Sequence, residues 1–122
     1  MREIELYQAL IRLFNKMGYR KFIKEAPIFS TIPGLQNKRV DILFINGRKK
    51  CAVEVKIRNW HQALLQAYFN SYFFHESYVA IPAKVIKNVD IELFKAYSIG
   101  LISVSPKSQK ANIILKGRER RW

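Results

Sequence analysis

Arg39-Val40-Asp41-Ile42-Leu43-Phe44-Ile45 and Cys51-Ala52-Val53-Glu54-Val55-Lys56-Ile57 are two apolar runs separated by a short polar link that contains Asn46-Gly47. Both have the length and β-branched content of strands, and Asn-Gly tolerates the positive φ of a tight hairpin, so the spacing predicts antiparallel neighbours over 39–45 and 50–57. Each run carries charge where a core strand should have none. Burying an unpaired carboxylate or ammonium costs several kcal/mol, so Asp41, Glu54 and Lys56 must serve one another or a cation. Side chains alternate across a strand, which puts Ala52, Glu54 and Lys56 on one face and Cys51, Val53, Val55 and Ile57 on the other. The hairpin brings Asp41 to the same surface. Two carboxylates with water and phosphate oxygens suit magnesium, a hard cation that keeps several waters, and manganese would substitute. The neighbouring ammonium would orient a water or neutralise phosphate charge.

Outward from the hairpin, Ile4, Tyr7, Leu10, Ile11, Phe14 and Met17 recur at helical spacing over 2–17, and Gly18 follows as a stop. Residues 20–29, broken at Pro27, read as an edge strand, and 30–37 as a loop. After Lys56 come a helix from Asn59 or Trp60 to about Phe74, a strand over 77–81 stopped by Pro82, a helix over 89–97 ending at Gly100, and a strand over 101–104. Residues 111–115 are a candidate for one more strand before a basic tail, 116–122. The order predicts one α/β domain spanning 1–122: a single mixed β-sheet flanked by helices.

Lys and Arg number 22 against 9 Asp and Glu, a formal charge of +13, which calls for a polyanionic partner. The basic residues are spread along the chain instead of forming one amphipathic helix, so DNA is expected in preference to a membrane surface. With no secretory signal and no apolar run near 18 residues, a cytoplasmic protein is expected. The single cysteine, Cys51, excludes a disulfide framework and multi-cysteine zinc sites, and its place on the apolar side of a strand makes it a core residue. His61 and His75 lack metal-ligand spacing and read as surface or helix-end groups.

Asp41 followed, after twelve intervening residues, by Glu54-Val55-Lys56 resembles the PD-(D/E)XK nuclease superfamily, with Val40 standing where the family often has Pro. The resemblance implies a restriction-endonuclease-like sheet and metal-dependent hydrolysis of DNA phosphodiesters. It assigns the metal to Asp41, Glu54 and the backbone carbonyl of Val55, and the attacking water to Lys56. Many members add an acid from the first helix. Glu3 falls on the apolar face of that helix and matches this role, although an acid in a first turn is also favoured by the helix dipole alone. Gln62, Gln66 and Asn70 recur every four residues along the next helix, and with Tyr68 they loosely resemble the Gln- and Tyr-containing helix of RecB-type members. Gln62, nearer the strand, is the better candidate to approach metal or phosphate; amides capping nearby backbone are the alternative.

Lys24, Lys38, Arg39, Arg58 and Gln66, together with Arg48, Lys49 and Lys50 at the hairpin tip, are the candidate DNA contacts, and contacts of this type carry affinity without sequence information. The chain has no room for a recognition domain, so structure-selective or weakly specific cutting is expected, with small archaeal Holliday-junction resolvases as the nearest analogy. The Leu65, Phe69 and Phe73 side of the helix after Lys56 is a second apolar face, expected to mediate a homodimer. A non-catalytic nucleic-acid-binding module, or a subunit of a larger nuclease or repair assembly, are the competing expectations.

Overall fold

A computed structural model describes residues 1–29 and 38–120; the loop expected at 30–37 and the end of the basic tail lie outside the described residues. Six strands form one mixed sheet in sequence order: β1 (Lys21–Pro27), β2 (Arg39–Asn46), β3 (Lys49–Val55), β4 (Glu76–Pro82), β5 (Gly100–Ser105) and β6 (Lys110–Leu115). The outer pairs β1/β2, β2/β3 and β5/β6 are antiparallel, while β3/β4 and β4/β5 are parallel. Helix α1 (Tyr7–Lys16) covers one face; α2 (Trp60–Asn70) and α3 (Ile91–Tyr97) cover the other. The parallel centre is covered on both sides, and every residue of β4 is buried, as expected for strands between two helical layers.

The sheet face under α1 takes Ile42, Phe44, Cys51, Val53, Val55 and Tyr78, against Leu6, Ala9, Leu10 and Phe14. Phe14 anchors it, stacked on Phe44 with centroids 4.1 Å apart and edge-on to Tyr78 at 6.0 Å. Gly18, at φ 98°, closes α1 as expected: the Tyr19 N–H donates to the Phe14 carbonyl at 2.8 Å and the Gly18 N–H to that of Asn15 at 3.0 Å, a Schellman motif. The start of the helix differs from expectation. Glu3–Leu6 form a 3-10 turn, whose tighter winding breaks the 100° phase, so Leu6 is buried while Ile4 is exposed; at the other end Met17, the C-cap of α1, is exposed as well.

The β2–β3 hairpin forms as expected, with Asn46 paired to Lys49. Its two central residues are therefore Gly47 and Arg48, and only Gly47, at φ 60°, is left-handed, the pattern of a type II′ turn. Helix α3 stops at Ser98, itself left-handed at φ 62°, and not at Gly100. Gly100 instead begins β5 where no side chain fits: a Cβ there would lie 2.2 Å from the Tyr78 ring and 2.6 Å from the Gly117 nitrogen. The candidate strand at the end of the chain is present as β6, and Cys51 is fully buried.

Candidate active site

The β2–β3 ladder ends at Ile42 opposite Val53, and continuing that register sets Asp41 opposite Glu54. Here the carboxylates replace backbone acceptors. The Val55 N–H donates to Asp41 Oδ2 at 2.7 Å, and the Asp41 N–H donates to Glu54 Oε2 at 3.4 Å. Each strand is thus tied to the other through an acid side chain, and the second oxygen of each carboxylate lies outside these bonds. On the other side of β2, Lys24 pairs with Ile42 and Ala26 with Val40, but Glu25 between them is skipped. Its φ of 53° is a left-handed conformation that a glutamate rarely adopts, so the chain is kinked opposite Asp41.

Glu54 is only 3% exposed. Asn70, at the end of α2, donates its amide to Glu54 Oε2 at 3.0 Å. Burial, reinforced by the charge of Asp41, pushes the Glu54 carboxyl up to about 7, against the amide and backbone donors and the more distant Lys56. Asp41 is likewise raised, by burial first; the Val55 donor, the Lys56 charge and a hydrogen bond to the Glu54 carboxyl oppose that rise. Two acids this close share a proton more readily than they ionise together. Neither belongs to any ion pair among the described residues, where the salt bridges are Lys49–Glu76, Lys49–Glu119 and Lys95–Glu92. Tyr7 of α1 lies in the same field: burial and the charges of Asp41, Glu25, Glu3 and Glu54 all raise its phenol, and its ring is capped by Lys24 at 5.4 Å.

Lys56 follows the end of β3, its N–H donating to the Ala80 carbonyl at 3.1 Å so that the strand line continues. It lines a cavity of about 490 Å³ together with Glu3, Arg58, Gln62 and Lys84. Glu3 and Gln62 therefore share a cavity with Lys56, one that neither Asp41 nor Glu54 lines, and Glu3 sits in the 3-10 turn and not in a regular helix. Asn59 caps α2 in a left-handed conformation, its Oδ1 accepting from the Gln62 N–H at 3.4 Å while its amide donates to Gln62 Oε1 at 3.1 Å. A second hollow, about 310 Å³, joins Lys38, Arg39, Leu65, Gln66 and Phe69 to Asn70, so that two candidate cations and Gln66 adjoin the residue that holds Glu54. The Arg39 guanidinium is partly engaged, donating to the Glu25 carbonyl at 3.1 Å.

Arg48, Lys49 and Lys50 are not brought to this site. The hairpin turn is at the other end of β2 and β3 from Asp41 and Glu54, and Lys49 is bound there to Glu76 at 2.8 Å and Glu119 at 3.2 Å. His75 is part of the same end, its Nδ1 accepting from the Lys50 N–H at 3.0 Å, and His61 stacks on Trp60 with centroids 3.6 Å apart. Four residues of the site have no assigned role in the sequence reading: Asn70 as the donor to Glu54, Glu25, Tyr7 and Lys84. Asn70 had a signal, as the third member of the polar ridge on α2. The other three are gathered by the sheet and leave no local pattern.

Among the described residues no three His, Cys, Asp or Glu side chains form a metal-binding group. The donor chemistry of the pair still fits magnesium, which takes one or two carboxylates and fills its remaining positions with water and phosphate. A buried acid beside a half-buried one, resisting joint ionisation, is what a divalent cation would relieve. No helix is long and apolar enough to cross a membrane. Comparison of the chain with known proteins finds no matching family model, no matching curated protein and no matching solved structure.

Proposed function

We propose that the chain is a metal-dependent DNA endonuclease of the PD-(D/E)XK type, hydrolysing phosphodiesters with structure-selective or weak sequence preference. One observation carries the reading: buried Glu54 and half-buried Asp41 close the end of the β2–β3 ladder as a carboxylate pair with no ion-pair partner among the described residues, and Lys56 follows at the end of β3. Asp41 and Glu54, with the Val55 carbonyl, would hold magnesium or manganese. The bound ion would supply Lewis-acid polarisation of the phosphate and offset its charge. Lys56 orients the attacking water through its ammonium, and Gln62 and Glu3, across the same cavity, position water and phosphate oxygens. Water adds to phosphorus, one P–O bond to a sugar oxygen breaks, and the leaving oxygen takes up a proton. Lys38, Arg39 and Arg58, on the two cavities beside the pair, hold the flanking phosphates, and Lys24 extends this positive border.

The exposed side of α2 supports the second part of the proposal, a homodimer that supplies two cutting sites. Leu65 is 64% exposed, beside the half-buried Phe69 and Phe73. Sedimentation should give a dimer that Leu65→Glu converts to monomer; a monomer at all concentrations would rule it out.

The test is cleavage of labelled duplex, single-stranded, flap and four-way-junction DNA with magnesium or manganese, and with chelator. Asp41→Ala, Glu54→Ala and Lys56→Ala should each reduce metal-dependent cutting by at least about a hundredfold, the scale of losing an electrostatic contact to the transition state. Cutting that survives Asp41→Ala or Lys56→Ala would refute the assignment. Tight, metal-independent binding without cutting on every substrate would make the chain a binding module or a partner-dependent subunit.

A further inference from the structure

A cavity of about 780 Å³, larger than the hollows at Lys56 and at Asn70, lies beyond the end of α2 and contains none of the residues given a role in the proposed function. Its floor is Ser71 and Tyr72 after α2 and Tyr97 and Ser98 at the end of α3; its lip is Arg118, Glu119 and Arg120. The lip is held by the fold. After β6 the chain turns back at Gly117, which packs against Gly100 and the Ser77 carbonyl with no space for a side chain. The Arg118 N–H then donates to the Ser98 carbonyl at 3.2 Å and the Arg120 N–H to that of His75 at 2.7 Å. The aromatic floor is equally fixed, because Tyr68 bonds Tyr72 through their hydroxyls at 2.7 Å and its ring lies 4.9 Å from that of Tyr97.

The charges sort by role. Two helices end at this cavity and turn their negative poles toward it. Arg120 answers one of them, donating to Ser71 Oγ at 3.4 Å with its guanidinium 5.0 Å over the Tyr72 ring. Glu119 is paired with Lys49. Arg118 is exposed, and among the described residues its guanidinium has no hydrogen bond or ion pair. A rigid phenol wall below a free guanidinium matches a ligand with both a flat π face and an anionic group. A base stacked in duplex does not offer that face, whereas an unpaired nucleotide does. The volume also lies within the range of roughly 300–1,000 Å³ usual for ligand pockets.

We propose that this cavity is a second nucleic-acid site that takes an unpaired nucleotide of single-stranded DNA or RNA, with its base on Tyr72 and Tyr97 and its phosphate on Arg118. Asn70 faces the carboxylate pair while Ser71, the next residue, lines this cavity, so the end of α2 separates the two sites. The proposal deepens the nucleic-acid reading above, pointing to substrates with a single-stranded branch, but does not depend on cleavage.

Binding of a fluorescein-labelled deoxythymidine dodecamer, followed by anisotropy with chelator present, tests it on the full chain. Arg118→Glu, a change on the surface, should weaken binding about tenfold or more, and Tyr97→Leu about fivefold or more, the scale of one stacked base. Both should keep metal-dependent duplex cutting within about twofold of the parent, with thermal midpoints showing that each is folded. Two variants that bind the dodecamer like the parent would overturn the site while leaving the nuclease reading intact. Loss of binding in both, in a chain that never cuts, would support the site and refute the nuclease. Equal binding of polyglutamate, insensitive to Tyr97→Leu, would replace the nucleotide with an acidic peptide and overturn the proposal.

Discussion

Burial makes the charged form of Glu54 costly to the fold. Its carboxyl is pushed from an ordinary 4.5 up to about 7 by burial and by Asp41, so between those values the folded chain binds more protons than the unfolded one. The sign follows from linkage: for an acid raised on folding, its contribution to stability is fully present below pH 4.5 and is lost as pH rises through 7. The whole effect is on the order of 3 kcal/mol, before the pair relaxes or takes up a cation. In chelator, the thermal midpoint should fall from pH 5 to pH 8. Glu54→Gln should flatten that slope and raise the midpoint at pH 8 by several degrees, because the amide oxygen still accepts from Asn70 and the Asp41 N–H while its NH2 faces Asp41. Magnesium should stabilise the parent at pH 8 and not this variant. An identical slope in the two proteins would show that Glu54 ionises normally. The acid pair and Lys56 were legible in the sequence, because charged residues inside two apolar runs have few physical explanations. Glu25 and Tyr7 were not, since neither its positive φ nor its approach to Asp41 has a local signature.

At the scale of elements, two positions decide whether parts of the fold fit together. Asn70 ends α2 and fixes Glu54; Asn70→Ala removes a donor that favours the charged acid, so the pH at which cutting reaches half its maximum should move upward and the rate should fall by about an order of magnitude. A pH profile unchanged in shape would make Asn70 merely structural. Gly100→Ala should be among the most damaging single substitutions, costing about 3 kcal/mol or more by melting. The Tyr78 ring cannot retreat, because it is buried and its hydroxyl donates to Glu76 at 2.8 Å, and the other neighbour is backbone. A midpoint within two or three degrees of the parent would refute that account. Elements with strong periodicity or turn chemistry were readable: the hairpin, the Gly18 stop, α2 after Asn59, and β4 up to Pro82. The exceptions were places where backbone geometry departs from the local signal. The 3-10 turn shifts the burial from Ile4 to Leu6, and Gly100 is small for packing while Ser98 takes the left-handed turn.

For the whole molecule, a formal +13 would govern how it meets DNA under the proposed function. If six or more phosphates are contacted, affinity of Glu54→Gln for duplex should fall by about a thousandfold or more between 50 and 200 mM salt, with a linear dependence on the logarithm of salt. A flat dependence would exclude phosphate contacts as the basis of binding. Placement, however, divides the cations. Lys56 and Arg58 share one cavity, and Lys38 and Arg39 line another with Asn70, the donor to Glu54, whereas Lys49 is held at the opposite end of the hairpin by Glu76 and Glu119.

By itself the sequence determined the strands, the tight hairpin, the Gly18 stop, the start of α2 and the three charged residues at the centre, because alternation, caps and turn residues act over a few positions and charge inside an apolar run is costly wherever it ends up; it overran the end of α2, which stops at Asn70 and not near Phe74. Only the tertiary structure decided what surrounds them. It brought Glu3, Gln62 and Lys84 to Lys56, Asn70 to Glu54, and Arg118 to Tyr97, since contacts between residues far apart in the chain follow from how the sheet and helices stack. It also removed the hairpin-tip cations from the site, because a strand of seven or eight residues separates its two ends by about 20 Å.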